Sequence, residues 1–221
     1  MSSASIAHYL SDLKRLRYNI MYKLPSIEEF KSQSPDVQKQ TLDQLFEPCD
    51  SLSWFIQTYV LHPPHNHHHH GEFTTYGEFI EVVRSELHGF LHLAEFESSR
   101  THGEVTPIIS HIISAHPRLG VPKKTAKLSE HSSAEQKNLA AGEGEEAEKM
   151  KELLIELNEE YEIKFPGLRY VVFVNGRGRP EIMEDMKKRI KRGDISLERK
   201  EAFDAICDIA LDRAGKLGAK L

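Results

Sequence analysis

Apolar residues recur three and four positions apart through most of this chain, and that period decides what it can fold into. From Tyr76 onward the series Phe79, Ile80, Val83, Leu87, Phe90 and Leu91 puts one apolar face on a helix. Met150, Leu153, Leu154, Leu157 and Tyr161 repeat the spacing, as do Phe203, Ile206, Ala210 and Leu217. Shorter helices are predicted at Asp36–Phe46, Leu52–Val60, Val105–Ser114 and Pro180–Lys191. The only strand-like run is Tyr170–Val174, set between Gly167 and Asn175-Gly176. One such run cannot make a sheet, so it is expected to lie extended across helices. The predicted fold is all-α, a single compact domain of about eight or nine helices with one short extended segment.

Composition narrows the function classes. The 221 residues carry a formal charge of −5, which lacks the basic footprint of a general nucleic-acid binder. The apolar runs are far shorter than the ~20 residues of a membrane span. Neither nucleic acid nor membrane is therefore expected as a partner. Cys49 and Cys207 are too few for a disulfide framework and are expected as free thiols in a reducing compartment.

The two ends are read as follows. Residues 1–23 lack the apolar core of a secretory signal, and Ile6, Leu10 and Leu13 beside Asp12 suit a first packed helix better than a mitochondrial transit segment. The final Ala219-Lys220-Leu221 is a conservative variant of the S-K-L peroxisomal address, or else a frayed helix end. Two stretches look like surface insertions, residues 62–71 (HPPHNHHHHG) and the polar, turn-rich Glu97–Glu104; a third polar stretch, Gly142–Glu148, breaks or begins a helix on the solvent side.

Several residues could carry chemistry. The histidine-rich tract suggests metal affinity, but a run following Pro63-Pro64 offers no outer partners to fix ligands, so no functional metal is assigned to it. His116 precedes Pro117 in SAHPRLG and should sit where a helix ends. A helix C-terminus favours an imidazolium, which suits either a capping residue or a proton carrier near neutral pH. Ser132 and Glu135 have capping-box spacing, which puts Glu135 and Gln136 in a first helical turn, as a cap or projecting into a cleft. Arg213 occupies an inward position of the seam Phe203, Ile206, Ala210, Leu217. A guanidinium there must be paired, bind an anion or ureido carbonyl, or snorkel outward. The Asn175–Arg179 run is basic and glycine-rich but has no phosphate-loop pattern.

Taken in order, these segments resemble the OHCU decarboxylases, which act on 2-oxo-4-hydroxy-4-carboxy-5-ureidoimidazoline in urate degradation. LPSIEEF (24–30), LDQLFEPC (42–49), Trp54, SAHPRLG (114–120), SSAEQ (132–136), LNEEYEIKF (157–165), YVVFVNGRGRPEI (170–182) and IALDR (209–213) carry the resemblance. It spans residues 24–217, with 62–76 as a histidine-rich insertion loop. The resemblance implies a carboxy-lyase that needs no cofactor and forms a homodimer. It implies catalytic roles for His116, Glu135 and Arg213. It implies substrate contacts from Pro117, from Ser132, Ser133, Ala134 and Gln136, and from the backbone of Tyr170, Val171, Val172, Phe173 and Val174. It strengthens a peroxisomal reading of the last three residues, recognised by an import receptor, over a cytoplasmic one. Two rivals stand beside it: a helical scaffold protein of the same fold without activity, and a metal-dependent hydrolase built on the histidine tract.

Overall fold

In the computed structural model the described residues are 22–63, 72–120 and 145–221, with side chains from 148 onward in the last stretch. Among them are eight α-helices, one π-helical turn and no strand. The helices are α1 (Ile27–Ser32), α2 (Pro35–Leu45), α3 (Asp50–Ile56), α4 (Tyr76–Thr101), α5 (Pro107–Ser114), α6 (Glu145–Lys164), α7 (Arg179–Arg192) and α8 (Ile195–Lys216). The all-α reading therefore holds. No helix among the described residues is long and apolar enough to cross a membrane.

Local chemistry sets the helix ends. Ser26, Thr75 and Asp194 each accept an N–H from the first turn of α1, α4 and α8, satisfying donors that a helix leaves open. Pro35, Pro107 and Pro180 sit in the first turns of α2, α5 and α7, where a missing N–H costs nothing. α7 stops at Gly193, whose φ of 66° is open to glycine without strain.

The centre is the α4–α8 pair. Phe79, Ile80, Val83 and Leu87 of α4 are fully buried, as are Phe203 and Ala210 of α8. Arg84 ties the pair at its rim, donating to Asp204 at 3.3 Å and Asp208 at 2.7 Å. α2 and α5 pack against α8, and α3 against α5.

Two expectations change. The 97–104 stretch is not an insertion: α4 continues to Thr101 and ends at His102 in the left-handed region (φ 55°). Its polar side chains sustain the helix, Thr101 donating to the Glu97 carbonyl at 2.8 Å and Arg100 pairing with Glu97. The segment predicted as one helix at 52–60 is α3 followed by a π-helical turn at Gln57–Leu61. The polar 142–148 stretch begins a helix, as predicted: α6 starts at Glu145. Tyr170–Val174 is extended without a ladder partner, as predicted. The first-helix reading of residues 1–21, most of the histidine tract and the Ser132–Gln136 segment lie outside the described residues.

Candidate functional site

Helix α5 (PIISHIIS) is apolar enough to be driven inward, and Ile109, Ile112 and Ile113 are buried. Pro117 keeps the chain from continuing as helix. The His116 N–H closes on the Ile113 carbonyl at 3.3 Å, and the imidazole is carried into the interior, 6% exposed.

Burial changes the protonation expected of this histidine. Desolvation pushes its pKa from 6.5 down to about 4; Arg213 and Arg169 push the same way and Glu47 opposes them. The expected preference for imidazolium at a helix end is thus overturned: loss of water outweighs the dipole, and the resting ring is neutral at pH 7.

Arg213 does not snorkel. It is 1% exposed, and its Nη2 donates to Glu47 Oε1 at 2.8 Å. Glu47, 5% exposed, follows α2 and lies 166 positions earlier in the chain. The ends of α2, α5 and α8 thus bring an imidazole, a carboxylate and a guanidinium into electrostatic range of one another. Glu47 was not among the candidates read from the sequence. The signal was there: it continues the inward run Leu42, Leu45, Phe46, so it is misplaced in the same way as Arg213.

The turn after His116 is held at several points. Arg169 Nη1 donates to the His116 carbonyl at 2.9 Å. Arg118 forms a two-pronged pair with Glu162 at 2.7 and 2.6 Å. Asn158 Nδ2 donates to the Leu119 carbonyl at 3.1 Å. Pro117 is half-buried in this turn.

Arg169 also begins the extended segment, so the His116 turn and Tyr170–Val174 are tied together. Tyr170 and Val171 are buried, while Val172, Phe173 and Val174 are half-buried. The Tyr170 hydroxyl donates to Asp185, and the Arg189 guanidinium lies 4.8 Å over its ring. Arg189 also donates to the Val171 carbonyl at 3.3 Å, and Arg177 to the carbonyls of Phe173 and Val174. Much of this backbone is therefore fixed in place by arginines, which serves rigidity whatever else it binds.

A cavity of about 540 Å³ opens on the outer side of α5, lined by Ser110, His111, Ser114 and Arg169 among others. It shares Arg169 with the His116 turn, but Glu47, His116 and Arg213 do not line it. The buried trio, which sets an imidazole beside a carboxylate–guanidinium pair, is the better chemical candidate. His62, the described end of the histidine tract, meets Gln38 at 3.3 Å. Both cysteines are free, and burial pushes the Cys207 thiol up to about 12.

A family model described as OHCU decarboxylase matches residues 31–215, a span that includes Glu47, His116, Tyr170–Val174 and Arg213. No curated protein matches the chain.

Proposed function

The chain belongs to the OHCU decarboxylase family, and from that footing we propose that it converts 2-oxo-4-hydroxy-4-carboxy-5-ureidoimidazoline to (S)-allantoin. The observation that carries the proposal is the meeting of His116 with the Glu47–Arg213 pair in the interior.

The chemistry needs an electron sink, and the substrate brings one. When CO2 leaves C4, the bonding pair becomes the C4–C5 double bond, and the electrons of the ring C=N move onto nitrogen, conjugated with the ring carbonyl. That nitrogen takes up one proton from solvent. The enol at C4 then loses its hydroxyl proton to become a ketone, and C5 gains a proton on one face. A neutral His116 suits this order: it takes the hydroxyl proton and returns a proton to C5, making it the proton donor of the stereochemical step. Arg213 binds the anionic or ureido end. Glu135 orients His116 or the hydroxyl, while Gln136 and the Tyr170–Val174 backbone read the amides. No organic cofactor or metal is required by this electron count.

The test is direct. Purified protein mixed with freshly generated substrate should accelerate formation of optically pure allantoin without added metal or cofactor. Racemic product at the spontaneous rate would reject the proposal. We further propose that the protein acts as a homodimer, checked by light scattering of the purified chain. Import into peroxisomes through Ala219-Lys220-Leu221 is tested by following a fluorescent fusion with and without these residues.

A further inference from the structure

Glu47 sits two residues after the end of α2 and meets Arg213 of α8 at 2.8 Å, both side chains being almost wholly buried. Removing two charges from water is expensive, and an apolar pair of similar volume is often no less stable. A costly pair placed beside a buried imidazole invites a role besides packing. The charges that face His116 are Glu47 from the end of α2, Arg213 from α8 and Arg169 from the start of the extended segment. Two guanidinium groups against one imidazole would oppose any proton that the ring takes up during turnover.

Building on the proposed reaction, we propose that Glu47 is a positioning residue: its carboxylate holds Arg213 in the site and supplies the fixed negative charge against which His116 carries its proton. The direction of its effect agrees, since Glu47 raises the basicity of His116 while Arg213, Arg169 and burial lower it. With Glu47 present, Arg213 is already neutralised before substrate arrives, so the substrate carboxylate is held without being trapped by a naked guanidinium. Without it, Arg213 would grip the substrate carboxylate more tightly and His116 would lose its counter-charge. The charge therefore serves the proton step more than the binding step.

The experiment compares Glu47→Gln, Glu47→Asp and wild-type protein, each checked for full helical circular dichroism. Glu47→Gln should lower kcat roughly 10- to 100-fold while KM changes by less than about threefold or falls. Glu47→Asp, which keeps the charge, should recover part of kcat. A histidine resonance identified by its loss in His116→Asn should titrate at lower pH in Glu47→Gln than in wild type. Wild-type kcat in Glu47→Gln would overturn the inference. So would equal impairment of the Gln and Asp variants with an unmoved His116 titration, which would make Glu47 a packing residue alone. A fully active His116→Asn would instead overturn the proton-donor assignment, whereas an inactive His116→Asn beside a fully active Glu47→Gln removes only Glu47.

Discussion

Two clusters of buried charge occupy this fold, and they are built differently. In the first, Glu198 is fully buried and receives Arg189 at 2.8 Å, Arg192 and the Tyr161 hydroxyl at 2.6 Å. Its ionisable neighbours are arginines, carboxylates and tyrosines, and burial drives the Tyr161 and Tyr170 hydroxyls upward, far from any physiological titration. In the second, Glu47 and Arg213 lie beside an imidazole whose pKa burial pushes down to about 4. One cluster joins arginines to carboxylates and tyrosine hydroxyls; the other sets an imidazole beside its ion pair. The first braces α6, α7, α8 and the extended segment against one another. The second holds a titratable ring as well as an ion pair, which is what the proposed proton step needs.

The contrast can be broken, starting with the largest effect. His116→Asn should cost ~10²–10⁴ in kcat with the helical signal intact, measured by stereospecific allantoin formation. Glu198→Ala should do the opposite. It strands Arg189 and Arg192 and should cost ~3–5 kcal/mol of stability in a urea titration, leaving the His116 titration in place.

Acid should separate the clusters next. The folded pKa of His116, about 4, lies below the unfolded 6.5. Between these values the unfolded chain binds more protons, so this histidine's contribution is present above pH 6.5 and is lost as pH falls toward 4. That contribution is about 3 kcal/mol, and it should vanish from the stability–pH curve of His116→Asn. Smallest of all, Arg118→Ala removes a half-exposed pair with Glu162 and should cost only ~0.2–1 kcal/mol by the same denaturant measurement.

The sequence showed the helices because their signal is local. A 3–4 period over Phe79–Leu91 survives whatever packs against it. It failed at Glu97–Thr101, where polar side chains were read as a turn, although a helix on the surface wants polar residues and the glycine at 103 lies beyond its end. Arg213 was legible for a similar reason: a charge on an apolar seam is a local contradiction. Its partner was not legible as a partner. Nothing along the chain says that position 47 will meet position 213, because that contact comes from the packing of α2 against α8. The protonation of His116 was misread because helix-end electrostatics can be read from sequence neighbours, whereas desolvation depends on everything folded around the ring.

Four residues past His116, the chain passes through Gly120 with φ +73°, and a β-carbon there would stand 2.4 Å from Leu154 Cδ2. The turn that carries His116 thus depends on an absent methyl group. An alanine at this position would meet a disfavoured backbone and the tip of the Leu154 side chain, and the backbone strain would fall on the turn that holds Leu119, Arg118 and the imidazole. A lesion there need touch neither ring nor ion pair: one added carbon in a bend would shift the His116 turn while the helices stand.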